Sequence, residues 1–265
     1  MKIRFEENTK IKPTKLNKII PYPDGTVEEK IVNPNKPVTK ILDKNHYIDT
    51  RTGEVKEFRN PITKHDSLTS VSSKMNKSRE LIYYNACNDI PNIYFVTLTF
   101  KENIIEYEIA EGHFKKFIRK LKKEYPNIKY GVWRQVQYDR KVWHFHLIIW
   151  RGNNYLLSPT YIENIWKLGI VDVQIINTNN DLMDVLFYLT NYNRWCNDNK
   201  VQKRIETLKY MDPNIRLFSH SQGLEQPKAT YFSKRITTDS IISKSIRTSE
   251  FNGEIVNTCI IKEAV

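Results

Sequence analysis

Two histidines one residue apart, His144 and His146, sit in the run Val142-Trp-His-Phe-His-Leu-Ile-Ile-Trp150. The run is rich in β-branched and aromatic residues and reads as a strand. Side chains alternate along a strand, so both imidazoles point to one face, about 7 Å apart at roughly 3.3 Å of rise per residue. At that separation two ring nitrogens can share one metal ion. Phe145, Leu147 and Ile149 point the other way, towards a core. A second chemical pair lies downstream in Asp184-Val-Leu-Phe-Tyr188-Leu-Thr-Asn-Tyr192-Asn-Arg-Trp195. Tyrosines four apart share one face of a helix. A phenol can attack a phosphodiester and store the bond as a phosphotyrosine. Neither pair decides the matter alone. Strand histidines are often plain half-buried polar residues, and a tyrosine pair at this spacing more often packs on a core.

The surrounding elements must hold these groups in place. Ile93 to Phe100 reads as a strand. Ile109 to Tyr125 reads as a helix, with Phe114, Phe117, Ile118, Leu121 and Tyr125 at helical spacing and Pro126 closing it. Lys129 to Gln137 and Val142 to Trp150 are two further strands. Ser158 caps a helix with Pro159 in its first turn; that helix runs to Leu168 and stops at Gly169. Ile170 to Ile176 is a fourth strand. Asn180 or Asp181 caps a last helix through about Cys196. The order β-α-β-β-α-β-α predicts an α+β fold, a ferredoxin-like (RRM-like) antiparallel sheet with helices packed on one face.

That topology adds a third candidate ligand. If Tyr138-Asp139-Arg140-Lys141 all belong to the loop between strands two and three, Gln135 lies opposite His144 and Gln137 opposite Val142. Opposed residues share a face, whereas a slip by one would put Val136 there. Two imidazoles and an amide oxygen form a borderline-hard set. It suits Mn²⁺ or Mg²⁺ with a bound phosphate better than a structural zinc.

The 265 residues carry a net charge of +12 and a pI near 9.4, which favours a polyanionic partner. The cations cluster. Lys115, Lys116, Arg119, Lys120, Lys122 and Lys123 fall on the polar side of the helix after strand one, with Lys74, Lys77, Arg79 and Lys101 close in the pattern. A surface that tracks phosphates is the reading. Three scattered cysteines, Cys87, Cys196 and Cys259, make no Cys-x-x-Cys pair, which excludes a zinc knuckle or disulfide framework and favours a reducing compartment. The charged N-terminus lacks the apolar core of a signal peptide, and no apolar run nears the ~20 residues that span a bilayer. A cytoplasmic protein is expected. No Gly-x-x-x-x-Gly-Lys motif marks an ATPase. Residues 1–70 are polar and broken by Pro13, Pro21, Pro23, Pro34, Pro37 and Pro61, and read as an arm with short strands such as Thr26 to Val32. Residues 71–230 hold the compact pattern, and 231–265 form a C-terminal extension.

Taken together, these segments resemble rolling-circle replication initiators of the HUH endonuclease superfamily, the two-tyrosine Rep proteins of phages and plasmids. Phe95-Val-Thr-Leu-Thr-Phe100 is similar to the first motif of that family, His144-Phe-His146 to the second, and Tyr188-Leu-Thr-Asn-Tyr192-Asn-Arg to the third. Trp166-Lys-Leu-Gly169 and Ser221-Gln-Gly-Leu-Glu-Gln-Pro227 also resemble family segments, and the likeness spans roughly residues 72–230. It implies a divalent ion on His144, His146 and Gln135, and attack by Tyr188 or Tyr192 on single-stranded DNA at a replication origin. It further implies a 5′-phosphotyrosine, a free 3′-hydroxyl, and host replication proteins as partners in the host cytoplasm. Lys115, Lys116, Arg119, Lys120, Lys123 and Arg194 would contact DNA. Two departures stand out: Gln135 occupies a position where the family often has Glu, and Asn191 and Trp195 replace lysines of the third motif. A single-strand transposase, a mobilisation relaxase, or a non-catalytic RRM-like nucleic-acid-binding protein are the alternatives.

Overall fold

The computed structural model describes residues 5–6, 16–32, 39–50, 52–58, 60–151, 157–232, 235–236, 241–248 and 255–262. Pro13, Pro34 and Pro37, read above as breaks in the N-terminal segment, lie outside them. The chain divides into two units, one of residues 1–21, 25–62 and 228–265, the other of 22–24 and 63–227. The first unit draws on both ends of the chain. Its five-stranded antiparallel sheet has the order Thr230–Phe232, Leu16–Pro21, Thr26–Val32, Ile255–Lys262, Ile241–Thr248. Thr39–Ile41, His46–Asp49 and Val55–Glu57 form a smaller meander. The strand expected at Thr26 to Val32 is present with those bounds.

The second unit carries the chemistry. Its strands are β1 (Ile93–Thr99), β2 (Lys129–Val136), β3 (Trp143–Trp150), β4 (Val171–Ile176) and β5 (Phe218–His220). Its helices are α1 (Leu68–Ala86), α2 (Tyr107–Glu124), α3 (Pro159–Trp166), α4 (Asn179–Thr190) and α5 (Asn199–Thr207). The sheet order is β4-β1-β3-β2-β5, antiparallel throughout. The first four strands thus have the ferredoxin-like order, and β5 extends the β2 edge. The α+β class expected from the sequence is the class observed.

Alternation along β3 divides the unit into two layers. Phe145, fully buried, stacks on Phe114 of α2 with ring centres 4.6 Å apart. Trp166 of α3 meets Phe117 of α2 at 5.7 Å. Arg134 of β2 reaches the same side and grips Glu111 of α2 with two bonds of 2.7 and 3.0 Å. Helices α2 and α3 therefore cover one face, as expected. The opposite face, which carries the histidines, is not bare: Trp133 of β2 donates from Nε1 to Ser78 Oγ of α1 at 3.1 Å. Arg79, grouped above with exposed cations, is buried there over the Phe187 ring of α4.

Several helix ends differ from the sequence reading. Thr178, not Asn180 or Asp181, caps α4, with Asp181 closing a reciprocal capping box. Helix α3 starts as expected, Ser158 Oγ accepting from Tyr161 N with Pro159 next. It ends at Trp166, and the left-handed capping residue is Lys167 (φ 52°). Gly169 has another duty. A Cβ there would lie 2.3 Å from Thr99 O and 2.7 Å from Lys101 N, because this segment lies against the end of β1 with Lys101 N donating to Leu168 O at 2.8 Å. Trp166 Nε1 donates to the same Thr99 O at 2.8 Å. Gly169→Ala should therefore destabilise the fold by about 1–3 kcal/mol, the usual cost of overpacking. A thermal melt followed by circular dichroism checks this, and an unchanged Tm would mean that the close approach does not exist.

Candidate metal and nucleophile site

The four-residue loop holds: Gln137 N donates to Val142 O at 2.9 Å and Lys141 N to Gln137 O at 3.0 Å. Gln135 accordingly pairs with His144 and Trp133 with His146 across β2 and β3. On the other side Thr99 pairs with His144 and Thr97 with His146. One face thus gathers Thr97, Thr99, Gln135, His144 and His146. The two imidazole centres are 4.7 Å apart with perpendicular planes. Phe95 stacks on His146 at 5.6 Å.

The hydrogen bonds leave atoms spare here. Thr97 Oγ1 lies 3.0 Å from His146 Nδ1. With the proton on Nδ1 donated to Thr97, the Nε2 of His146 keeps its lone pair. That Nε2, His144 Nδ1 and the Gln135 side-chain nitrogen are buried with no hydrogen-bond partner. Unpartnered buried polar atoms are rare and call for an explanation. Both imidazoles are held neutral. Burial first, and then the nearby Arg204 charge, push His144 down to about 4. Burial, His144 and Arg204 hold His146 well below its ordinary value. Neutral imidazoles with free lone pairs are what a metal ligand requires. A half-turn of the Gln135 amide presents oxygen in place of nitrogen. The donor set therefore fits a divalent ion of the Mn²⁺ or Mg²⁺ kind. Among the described residues, no three His, Cys, Asp or Glu side chains come together as a metal cluster, so a third protein ligand here has to be an amide. Gln135→Glu should accordingly tighten Mn²⁺ binding by about tenfold, since a carboxylate adds charge to the set. Isothermal titration decides this, and weaker or unchanged affinity would place the third ligand elsewhere.

The tyrosines are not arranged as the sequence suggested. Helix α4 ends at Thr190, and Asn191 is extended (φ −76°, ψ 107°). Asn191 Oδ1 accepts from Asn193 N, and Asn193 Oδ1 from Trp195 N, both at 3.1 Å. These local side-chain turns replace further helix. Tyr188 thus sits in the last turn of α4, while Tyr192 lies beyond it. Tyr188 is 44% exposed, its ring centre 6.1 Å from that of His146. Tyr192 is 3% exposed, and burial pushes its phenol up to about 12. The face shared by the two tyrosines is therefore not a helical one.

The predicted cations also separate. Lys115, Lys116, Arg119, Lys120, Lys122 and Lys123 are exposed on α2, across the sheet from the histidines. Arg194 is exposed in the turn after Tyr192. On the side of α1, a groove of about 550 Å³ is lined by Lys64, Lys74, Lys77 and Arg216 among others. The sequence reading missed Arg204 of α5, whose guanidinium carbon lies 4.7 Å from the Tyr188 ring centre. Its signal was present: Val201, Arg204, Ile205 and Leu208 recur at helical spacing and are all buried, so an arginine stands inside an apolar stripe.

Residues 93–194 match the family of the replication-associated protein ORF2. The stretch runs from the start of β1 to the turn after Tyr192 and holds the three motifs on which the resemblance to rolling-circle initiators was read. Among solved structures, the N-terminal nuclease domain of minute virus of mice non-structural protein 1 matches at 9% identity, over 83% of this chain and 75% of that one, with a TM-score of 0.19. At that level of overlap it bears on neither the fold nor the site. No curated protein sequence matches the chain. No helix among the described residues is long and apolar enough to cross a membrane.

Proposed function

We propose, from the premise that residues 93–194 are a replication-associated segment of the ORF2 type, that the chain nicks single-stranded DNA at a replication origin and starts rolling-circle synthesis. The observation that carries this reading is the exposed Tyr188 phenol beside two neutral, unpartnered histidines on one sheet face. Tyr188 Oη forms a bond to phosphorus as the bond from phosphorus to the 3′ oxygen breaks. The phenol gives up its proton and the 3′ oxygen gains one. The products are a 5′-phosphotyrosine and a free 3′-hydroxyl that primes synthesis; no ATP is consumed, because the covalent link keeps the bond energy.

His144, His146 and Gln135 would hold a divalent ion, Mn²⁺ or Mg²⁺, which when bound polarises the scissile phosphate. Thr97 fixes the His146 ring by its hydrogen bond, the outer-shell role that sets tautomer and orientation. The groove beside α1 offers cations for the flanking backbone, and the basic side of α2 would serve DNA away from the cut. Arg194, exposed next to Tyr192, would contact the strand close to it. Incubating the protein with a random-sequence single-stranded DNA pool and Mn²⁺, then looking for a covalent adduct on a denaturing gel, tests the reading. A DNA-linked species of raised mass is the expected result. Its absence at all divalent ions tried would overturn the nickase.

A further inference from the structure

Arg204 lies on α5, beyond the stretch that matches the family. Its guanidinium is 8% exposed, 4.7 Å from the Tyr188 ring centre and 5.8 Å from that of Tyr192. Nη1 donates to Asn191 O at 3.2 Å, and among the described residues no carboxylate pairs with this side chain. Around it stand two phenols and two histidines held neutral. A buried charge without a counter-charge is costly and is tolerated where something pairs with it. The two positions where the resemblance leads one to expect lysines hold Asn191 and Trp195 instead.

We propose that Arg204 is the anion-binding group of the site, its remaining N–H groups donating to a non-bridging oxygen of the phosphodiester that Tyr188 attacks. This rests on the nickase reading and adds to it a residue from a different helix. Guanidinium suits this role, being always charged and planar, with several donors in a fixed fork. Its stacking on Tyr188 places the charge beside the nucleophile, where negative charge builds on the phosphorus oxygens during transfer. Asn191 O, exposed by the end of α4, holds the guanidinium in that position.

The test uses the full chain and a minimal probe, thymidylyl-(3′→5′)-thymidine, which carries one phosphodiester. Its neutral methylphosphonate analogue is the comparison. The wild-type protein should prefer the charged probe by about tenfold or more, the usual worth of a charge-assisted hydrogen bond. Arg204→Met keeps the length and loses the charge, so it should bind the two probes alike. Arg204→Lys should recover part of the preference. A wild type that binds both probes equally, or an Arg204→Met protein that keeps the preference, overturns the proposal. Circular dichroism shows whether Arg204→Met is folded; if it is not, the comparison of probes on Arg204→Lys and wild type decides, an unchanged preference in the lysine variant counting against the bidentate role. The outcome is separable from that of the nickase reading: lost discrimination in Arg204→Met together with no adduct on the DNA pool would leave the anion site standing and remove the nuclease.

Discussion

Tyr188→Phe should lower formation of the covalent DNA adduct by about 1,000-fold or more, because it removes the attacking oxygen and leaves the packing intact. Tyr192→Phe should leave the first cut within a few-fold of wild type. The reason lies in where α4 stops. Tyr188 is carried by the helix and half open to solvent, whereas Tyr192 lies past its end, buried, with its phenol pushed up to about 12. A phenol so hard to ionise, with no room around it, is a poor first nucleophile. Its turn would come only when the segment 191–196 loosens, so Tyr192→Phe should impair the second transfer that closes the circle. Mass spectrometry of a nuclease-trimmed adduct identifies the linked residue. A nucleotide on Tyr192 after the first cut would reverse the assignment.

His144→Ala and His146→Ala should each reduce cleavage by at least about 100-fold, since each removes one of two neutral nitrogen ligands from an already sparse set. Binding of single-stranded DNA should change by no more than about twofold, because affinity rests on contacts to the backbone phosphates. Anisotropy with a labelled oligonucleotide measures the second, a nicking gel the first. Full nicking in excess EDTA would sink the metal assignment. Loss of DNA binding in step with cleavage would mean that the histidines act by holding the fold rather than by ligation.

Much of this geometry was legible in the chain because it depends on period and loop length. A four-residue loop fixed the register that sets Gln135 against His144, and alternation alone assigned His144, His146 and Phe145 to opposite faces. The end of α4 was harder. Thr-Asn-Tyr-Asn-Arg-Trp contains no glycine or proline, and the break comes from asparagine side chains that bond locally in competition with the helix. Their spacing carries that signal, but it is weak beside the tyrosine period. Lys167 took the left-handed cap that glycine usually fills, because Gly169 was needed where the backbone of β1 comes close. Arg204 reaches the tyrosines only through the packing of α5, and no local pattern announces a contact across that distance in sequence. The basic side of α2 was read correctly as exposed, but which face of the sheet it covers follows from the aromatic layer under β3, not from charge.

That aromatic layer has a consequence for any attempt to move the site. The residue between the two histidines, Phe145, is locked against Phe114 on the far side of the sheet, with Trp166 and Phe117 behind it. A graft of the three-residue segment into another sheet would carry both imidazoles but none of the clamp that stops β3 from twisting and spreading them. The portable module is thicker than the motif: it is the hairpin β2–β3 together with α2 and α3, and a scaffold for an artificial nickase would have to be chosen for its hidden side first.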